Sequence, residues 1–380
     1  MSILEHRDLD YLRAQLADGA LSRGRFLRLA TVAAGAAVAT DLLRTHDYVS
    51  AEEALTFTAE GMVDTTRFKK SAPWTIAHAS QGATNSWAAM MDAGVRYGTD
   101  VKYKGKFKKL LYADANGNIS KQLSDIEDLI VQKPDLLIVT ILGEADLAPI
   151  GRAMAKGIPV IIQSGDVAKG SWVSNVNRSN RLNGTLTGQW LATYTKGTAK
   201  YVSLGGIAGT PTANDRYAGA QSVLKKYPGM KELTHQFTDW SPVKGKTVAQ
   251  GLLTAHPDLD AIWSDSALQD MGLIDAYVEA GKPIPPMTAE PLNGFLRRAL
   301  QHKVKFFAVG FPPTMSVTSV DTAVKILSGQ PVMRHVAVPA LTFDHTQVAK
   351  YYKPRLSDDL WIDNILPDSY LATIGFAKKK

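Results

Sequence analysis

The chain has 380 residues, of which 45% are hydrophobic and 21% charged, a composition typical of a soluble globular protein and not of a disordered or membrane-embedded one. Its length predicts two domains of roughly 100–200 residues each. The net charge is +7, but the basic residues are scattered apart from "KYKGKFKK" at Lys102–Lys109 and the terminal "KKK". We therefore expect a solvated basic surface and no nucleic-acid partner. The absence of cysteine excludes disulfides, cysteine metal ligands and a lipid anchor on cysteine.

The N-terminal segment has the pattern of an export signal. In "LSRGRFLRLATVAAGAAVAT", three arginines between Arg23 and Arg28 precede an alanine-rich run that ends in small residues. The run is shorter than the roughly 20 residues of a membrane span. The segment resembles a twin-arginine signal with Gly24 in place of the second arginine, so a Tat-like and a Sec route both stay open. We expect cleavage after Ala39 or Ala51 and a periplasmic or extracytoplasmic location. The alternative is an amphipathic N-terminal helix of a cytoplasmic protein.

Short apolar runs alternate with helical patterns after a polar link that ends near Lys70. A helical pattern such as "SKQLSDIEDLIVQK", with a period near 3.6, separates most of the runs. This alternation is typical of parallel βαβ units. Two series, from Ala72 to about Val176 and from about Gly197 to Phe311, predict an α/β protein with two doubly wound parallel-sheet lobes. The runs are "WTIAHAS", "KKLLYAD", "DLLIVTI", "PVIIQS", "WVSNV", "AKYVSLGG", "AIWSDS", "PPMTAE" and "FFAVGF".

A glycine-rich loop interrupts "YVSLGGIAGTPTANDRYAGAQSVL", Tyr201–Leu224, between a strand-like run and a helical pattern. Loops of this kind often hold phosphate. Here Gly209 is followed by Thr-Pro instead of Lys and a hydroxyl residue, and Gly205, Gly206 and Gly209 lack the dinucleotide spacing. No cofactor is therefore predicted. The polar residues that follow, Arg216 among them, fall where side chains reach a ligand over the strand ends.

The sequence holds no recognised catalytic motif. There is no Gly-x-Ser-x-Gly and no His-Glu-x-x-His, and the eight histidines show no metal-ligand spacing. "DANGNISKQLSD" at Asp114–Asp125 imitates a calcium loop, but Ile119 occupies the glycine position and Asp125 replaces the terminal glutamate. A turn that caps the next helix is favoured instead. We predict no enzyme activity and no metal site.

Polar and aromatic residues follow the predicted strands, and ligands of doubly wound sheets bind at the carboxyl ends of strands. Aromatic rings with carboxylates, amides and one guanidinium suit a sugar or polyol, whose C–H faces stack on rings while its hydroxyls donate and accept hydrogen bonds. Each tryptophan taken singly is more often a core residue, but the shared position favours a site. The predicted ligand-binding residues are Asn85, Trp87, Ser164, Asp166, Arg216, Trp240, Asp265, Glu290 and Phe311.

From about Thr75 to Val338 the chain resembles the periplasmic ribose/galactose type of sugar-binding protein, the receptor of an ABC importer. The resemblance rests on "DANGNISKQLSDIEDLIVQKPDLLIV", "GIAGTPTANDRYAG" and "LLTAHPDLDAIWSDS". It implies the type I periplasmic binding protein fold, whose two lobes close over one small ligand. The three hinge segments would lie near Asn177–Asn180, Phe311–Pro313 and Val338–Pro339.

The resemblance also implies a division of the chain and its partners. Residues 1–51 would be the export signal and linker, 72–177 with 312–338 lobe 1, and 178–311 with 339–380 lobe 2 with a C-terminal extension. We expect that extension to wrap a lobe with Trp361 and Tyr370 packed inward. The implied partners are a sugar-like small solute and an ABC transporter permease in the membrane, and the implied state is a monomer.

Four positions match the family's site residue by residue. The resemblance implies a hydrogen-bonding role for Asn85 and a stacking role for Trp87. Trp240 falls on an aromatic position, and Arg216 falls on the position of the ligand-binding arginine.

Five positions depart from the ribose type. Asp265 stands where ribose-type proteins have Asn, and Glu290 where they have Asp. The Asp-Arg pair of the fourth strand is replaced by Ser164 and Asp166, and the glutamine near the second hinge is Phe311. These departures argue against ribose itself as the ligand.

The leading functional hypothesis is an extracytoplasmic receptor for a monosaccharide, polyol or similar small hydroxylated solute. The main alternative is a signalling receptor for a furanosyl autoinducer or another non-sugar molecule. The effector domain of a transcription repressor would require an N-terminal helix-turn-helix, and the alanine-rich second half of the N-terminal segment does not fit one.

Overall fold

A computed structural model describes residues 62–167 and 170–377. The predicted export signal and its cleavage positions lie outside these residues. The chain forms two compact units. Unit 1 comprises the described part of Met1–Ser179 together with Pro313–Pro339, and unit 2 comprises Asn180–Pro312 together with the described part of Ala340–Lys380. Each unit is therefore assembled from two separate stretches of the sequence.

The strands are short, as is usual for parallel sheets covered by helices. They are β1 (Met62–Val63), β2 (Trp74–Ser80), β3 (Phe107–Asp114), β4 (Leu136–Thr140), β5 (Val160–Gln163), β6 (Ser174–Asn177), β7 (Thr198–Gly205), β8 (Gly229–Phe237), β9 (Ala261–Ser264), β10 (Met287–Ala289), β11 (Phe306–Val309), β12 (Val332–Met333), β13 (His335–Ala337) and β14 (Thr342–Asp344).

Helices separate most of these strands. They are α1 (Ser86–Tyr97), α2 (Ile119–Val131), α3 (Leu147–Ala155), α4 (Asn180–Tyr194), α5 (Pro211–Leu224), α6 (Pro242–Ala255), α7 (Ala267–Glu279), α8 (Asn293–His302), α9 (Met315–Leu327), α10 (Val348–Tyr351) and α11 (Asp368–Thr373). Within the described residues, no helix has the length and apolar composition needed to cross a membrane.

The main sheet of unit 1 has six parallel strands in the order β13-β6-β5-β4-β2-β3. Every residue of β4 ("LLIVT") and β5 ("VIIQ") is buried, because helices cover a parallel sheet on both faces. A separate pair, β1 and β12, runs antiparallel. The carboxyl ends of β2 and β5 precede the predicted site residues of this unit.

The sheet of unit 2 also has six strands, in the order β14-β11-β10-β9-β7-β8. All neighbouring pairs are parallel except β14, which runs antiparallel along the edge of β11. The predicted class, two α/β lobes with parallel sheets, is confirmed, and the antiparallel edge strand adds to it. The five strands β7 to β11 each precede one of the residues that the sequence singled out in this unit.

The turn before α2 illustrates how the sequence begins a helix. Asn118 is the N-cap, and its Oδ1 accepts a hydrogen bond from the backbone N–H of Lys121 at 3.0 Å. Buried residues then recur on one helix face at Gln122, Ile126 and Ile130. The stretch that imitates a calcium loop is therefore a capping turn, as the sequence indicated.

Glycines bring two helix pairs of unit 2 into backbone contact. A Cβ added to Gly184 of α4 would lie 1.8 Å from the carbonyl oxygen of Arg216 in α5. A Cβ on Gly245 of α6 would lie 2.3 Å from the carbonyl oxygen of Gln269 in α7. Because real Cβ atoms never approach so closely, only glycine permits these helix spacings. The spacings fix the helices that carry Arg216 and Gln269.

The C-terminal stretch packs on α8 of unit 2. The Asn293 side-chain amide donates to the carbonyl oxygens of Lys353 and Ser357, each at 2.9 Å. The backbone of Trp361 forms an isolated antiparallel β-bridge with Leu292, and only 1% of the residue is exposed, so its inward packing is confirmed. Tyr370 is half-buried, because it lies in the short surface helix α11.

Candidate ligand-binding site

Arg216 is the centre of a buried cluster in unit 2. It lies in α5, which begins at Pro211 after the N-cap Thr210, and its side chain is 5% exposed. Arg216 Nε donates to Asn180 Oδ1 at 3.0 Å, and Arg216 Nη1 donates to the backbone oxygen of Asp265 at 2.7 Å. The Arg216 guanidinium therefore lies at the carboxyl ends of the strands, where Asn180 of α4 and the backbone of Asp265, directly after β9, accept its hydrogen bonds.

Two further contacts complete the surroundings of Arg216. Its Nη1 lies 3.1 Å from Glu290 Oε1, an ion pair without the alignment of a hydrogen bond. Its guanidinium carbon lies 4.8 Å from the centre of the Phe311 ring, a cation–π distance. The planar cation is thus held by a carboxylate and by a ring face.

Asp265 follows β9 directly, and its carboxylate accepts three hydrogen bonds. Trp240 Nε1 donates to Asp265 Oδ1 at 3.1 Å, Gln269 Nε2 donates to the same oxygen at 2.9 Å, and the Gly206 backbone N–H donates to Asp265 Oδ2 at 3.0 Å. Burial raises the pKa of Asp265, although the charge of Arg216 and these donors act in the opposite direction. Most of its acceptor capacity is used within the protein.

Glu290 follows β10 and is also buried. Burial raises its pKa to about 7, although the nearby Arg216 guanidinium lowers it. Asp270, one turn into α7, is fully buried, and burial raises its pKa well above the usual range. Three buried carboxyl groups therefore accompany the Arg216 guanidinium in this part of unit 2.

Trp240 lies in the loop after β8, where the backbone is unusual. Asp239 and Trp240 have φ angles of 52° and 50°, in the left-handed region that residues with a Cβ seldom occupy. The Trp240 side chain is half-buried, and its Nε1–H is directed to Asp265. The structure thus brings together the five predicted residues of unit 2: Arg216, Trp240, Asp265, Glu290 and Phe311.

The four predicted residues of unit 1 lie at two different strand ends. Asn85 is the N-cap of α1, where its Oδ1 accepts from Ala88 N at 3.0 Å, and Trp87 is half-buried in the first turn. Ser164 follows β5 with a φ of 61°, and Asp166 accepts a hydrogen bond from the Asn177 side chain. In the sheet order, β4 separates β2 from β5, so the two pairs do not share one strand end.

A buried polar network supports the loop that leads to Asn85. Ser80 Oγ donates to Asp92 Oδ1 at 2.7 Å, and the Tyr112 hydroxyl donates to Asp92 Oδ2 at 2.7 Å. Gly82 N donates to Ser80 Oγ at 2.9 Å, which ties the loop to the network. Burial lowers the pKa of the neighbouring His78 to about 4, so His78 is neutral at neutral pH.

Sequence reasoning missed the residues that hold the cluster in place. Asn180 begins α4 and accepts from Arg216, and Gln269 lies in the first turn of α7 and donates to Asp265, which precedes that helix. Because Asp265 precedes α7, the helical i, i+4 rule does not apply to this pair, and no periodic pattern in the sequence singles out Gln269. Among the described residues, no group of three or more His, Cys, Asp or Glu side chains is arranged to hold a metal ion. Hydrogen bonding, ring stacking and charge pairing are the interactions that this cluster offers a ligand.

Comparisons with known proteins agree with this architecture. A family model described as "Periplasmic binding protein domain" matches residues 76–331. The ribose import binding protein RbsB of Escherichia coli (strain K12) is 29% identical over 228 residues, which cover 59% of this chain and 76% of that protein.

Solved structures share the fold. The periplasmic binding component of the arabinose ABC transporter from Shewanella sp. ANA-3, bound to L-arabinofuranose, has a TM-score of 0.67 at 22% identity and covers 73% of this chain and 93% of that chain. A protein from Mycobacterium smegmatis in complex with β-D-fucofuranose has a TM-score of 0.67 at 23% identity. The match covers 80% of this chain and 97% of that chain. Since the family model matches more than half of the sequence, the chain belongs to the periplasmic binding protein family.

Proposed function

We propose that the protein is an extracytoplasmic solute receptor of an ABC importer that binds a monosaccharide, a polyol or a similar small hydroxylated solute. The observation that carries this proposal is the buried cluster of unit 2, in which Arg216, Asp265 and Glu290 lie with the rings of Trp240 and Phe311. Hydroxyl groups need both donors and acceptors, and the C–H faces of a sugar ring stack on aromatic side chains. Family membership supports the same class of function.

The charges of the cluster favour an uncharged ligand. The Arg216 guanidinium is already paired with Glu290, and the carboxylate of Asp265 lies close by. A sugar acid or sugar phosphate would bring a further negative charge next to these carboxyl groups, and the Arg216 guanidinium that would balance it is already paired with Glu290. We therefore expect neutral sugars to bind more tightly than their acidic or phosphorylated counterparts.

The five residues of unit 2 form the core of the proposed site. Asn85, Trp87, Ser164 and Asp166 of unit 1 remain predicted ligand contacts. In the structure, Asn85 accepts a hydrogen bond from Ala88 of α1, and Asp166 accepts one from Asn177 of β6. The two structural neighbours were solved with arabinofuranose and fucofuranose, so furanose sugars are the first ligands to test. Ribose itself is a weaker candidate, because five site positions depart from the ribose type.

The proposal includes location and partners. The basic and then apolar N-terminal pattern supports export to the periplasm or an equivalent compartment, with removal of the signal. A membrane permease of the ABC type would accept the solute, and the receptor would act as a monomer without enzyme activity. Mass spectrometry of the protein from its native host tests the export step, and a mainly cytoplasmic protein that retains residues 1–39 would contradict it.

A thermal-shift screen of carbohydrates tests the binding function. The screen pairs neutral pentoses, hexoses and polyols with matched uronic acids and sugar phosphates, and it includes furanosyl autoinducers. A ligand at 100 times its dissociation constant adds about 2.7 kcal/mol to the free energy of unfolding. Stabilisation by neutral sugars or polyols is the expected result. Stabilisation by the autoinducers alone would support the signalling alternative, and stabilisation by anionic sugars alone would contradict the neutral-ligand argument.

A further inference from the structure

The glycine loop after β7 has a close contact that the sequence did not suggest. A Cβ added to Gly206 would lie 1.8 Å from Cε2, 2.1 Å from Nε1 and 2.3 Å from Cδ2 of Trp240. All three are atoms of the indole ring system. The indole therefore occupies the space that any side chain at position 206 would need.

The carboxylate of Asp265 holds both partners of this contact. Its Oδ1 accepts from Trp240 Nε1 at 3.1 Å, and its Oδ2 accepts from the Gly206 backbone N–H at 3.0 Å. The Gln269 side chain donates to Oδ1 at 2.9 Å and thereby fixes the carboxylate itself. One buried acidic group thus sets the position of the ring and of the backbone on which the ring lies.

The backbone of the Trp240 loop depends on the same contacts. The left-handed φ angles of Asp239 and Trp240 are unfavourable for residues with a Cβ, and such conformations persist where the surroundings hold them. Here Asp239 N donates to the Gly206 carbonyl oxygen at 3.1 Å, and Thr238 N donates to the Gly205 carbonyl oxygen at 2.9 Å. The glycine loop after β7 and the Trp240 loop after β8 are thus joined by two backbone hydrogen bonds and by the contact of the indole with Gly206.

We propose that Gly206 and Asp265 are positioning residues that hold the Trp240 indole as a fixed aromatic wall of the ligand site and thereby determine which sugars fit. Gly206 supplies the space and Asp265 supplies the acceptor. The role in sugar selection rests on the proposed function, whereas the role in holding the indole does not. Asp265 then acts on the ligand through Trp240, because its own oxygens already accept three protein donors.

Gly205 provides a matched control for Gly206. Neither glycine has a positive φ, so an alanine at either position meets no backbone penalty of that kind. A Cβ on Gly205 would meet His235 Nε2 at 3.1 Å and Phe237 ring carbons at 3.3 Å, which requires movements of only a few tenths of an ångström. Gly206→Ala and Gly205→Ala therefore add the same methyl group to adjacent positions and differ in whether the indole is displaced.

The first measurement is made without ligand. In ¹H–¹⁵N spectra of protein labelled at tryptophan, the Trp240 indole N–H is assigned by its loss in Trp240→Phe. We expect Gly206→Ala to shift this signal upfield, as the hydrogen bond to Asp265 breaks, while Gly205→Ala leaves it nearly unchanged. An unchanged Trp240 signal in Gly206→Ala would overturn the proposal whether or not the protein binds sugars.

The second measurement is stability and covers the case in which Gly206→Ala does not fold. If the added methyl group clashes with the indole, then Gly206→Ala in a Trp240→Ala background removes the clash. We expect the double variant to melt within a few degrees of Trp240→Ala, and Gly206→Ala alone to melt well below the parent. Equal destabilisation by Gly206→Ala in both backgrounds would contradict the proposal.

The third measurement is calorimetric titration with the neutral sugars found by thermal shift. We expect Gly206→Ala to weaken binding at least tenfold and to reduce the preference between sugars, and Gly205→Ala to stay within threefold of the parent. If the indole signal moves but the preference between sugars stays as in the parent, the specificity role is wrong. If the parent binds no sugar at all, the proposed function fails, and the first two measurements still decide the positioning role.

Discussion

Arg216 contacts four groups of unit 2 through one guanidinium: Asn180, the Asp265 backbone, Glu290 and the Phe311 ring. We expect Arg216→Ala to weaken sugar binding by about 2–5 kcal/mol, by analogy with the truncation of one partner of a buried charge pair. At about 1.4 kcal/mol per factor of ten, this corresponds to a loss between about thirtyfold and several thousandfold. Calorimetric titration measures the loss, provided that the variant melts near the parent temperature.

Arg216→Lys is the matched control for charge. Lysine keeps the positive charge but lacks the planar fork that reaches Asn180 and Asp265 together and stacks on Phe311. We therefore expect Arg216→Lys to recover only part of the lost affinity. A loss below fivefold in Arg216→Ala would remove Arg216 from the proposed site.

Glu290 predicts a pH dependence of stability. Burial raises its pKa from 4.5 to about 7, so the folded state holds the proton more tightly than the unfolded state does. Its contribution to stability is fully present below pH 4.5 and is lost as the pH rises through 7. The size of this effect is at most about 3 kcal/mol, at 1.36 kcal/mol for each pKa unit.

Glu290→Gln removes this titration and keeps the shape of the side chain. We expect the free energy of unfolding of the parent to fall relative to that of Glu290→Gln between pH 5 and pH 8. Urea unfolding at four pH values across this range measures the difference. Parallel pH profiles for the two proteins would show that Glu290 does not titrate with a raised pKa.

Part of the site was predictable because a parallel sheet brings the carboxyl ends of its strands to one edge. Arg216, Asp265 and Glu290 follow β7, β9 and β10 in the chain, and the structure places their side chains in one cluster. The contact between Trp240 and Gly206 was not predictable. It depends on two left-handed residues in a loop, and no periodic pattern encodes such a loop.

At the scale of elements, the contact between α4 and α5 gives a direct prediction. A methyl group on Gly184 would lie 1.8 Å from the Arg216 carbonyl oxygen, so the helices must separate by more than 1 Å. We expect Gly184→Ala to lower the free energy of unfolding by about 1–3 kcal/mol or more. It should also weaken ligand binding, because α5 carries Arg216.

Gly251 is the matched control for this substitution. It lies within α6, and a Cβ there meets no atom within 4 Å. Alanine forms helices better than glycine by about 1 kcal/mol, so Gly251→Ala should be neutral or slightly stabilising. Denaturant unfolding of the two variants gives the comparison. If both substitutions have the same effect, helix propensity and not helix contact decides stability at these positions.

The strands that the sequence revealed are those with apolar runs. β4, β5 and β9 are buried throughout, and their runs stand out in the sequence. β8, "GMKELTHQF", was missed because it is an edge strand whose residues are only partly buried and mostly polar. β14 was missed as well, because its three residues have no detectable period.

At the scale of the whole molecule, unit 1 depends on residues that come late in the chain. Gly94 of α1 packs against Ser316 of α9, where a Cβ would lie 2.1 Å from the serine oxygen, and β13 pairs with β6. A fragment of residues 62–312 lacks both α9 and β13. We expect it to expose the apolar face that α9 covers, to bind hydrophobic dyes and to unfold without a cooperative transition for unit 1.

Adding residues 313–377 as a separate chain is the control for this fragment. If the missing elements are the cause, the second chain should restore slow hydrogen exchange in β5 and β6. Native-like protection of these strands in the 62–312 fragment alone would contradict the prediction.

The antiparallel pairing of Met62 with Met333 has a consequence for the speed of folding. Contacts between residues so distant along the chain require the closure of very long loops, and such folds form slowly. The ribosome has made most of the protein before unit 1 receives its last helix and its last strand. During that interval the apolar surface of its sheet is open to aggregation. Unit 1 therefore becomes native only after the ribosome has made residues 313–339, which lie in the final fifth of the chain, however early its N-terminal part collapses.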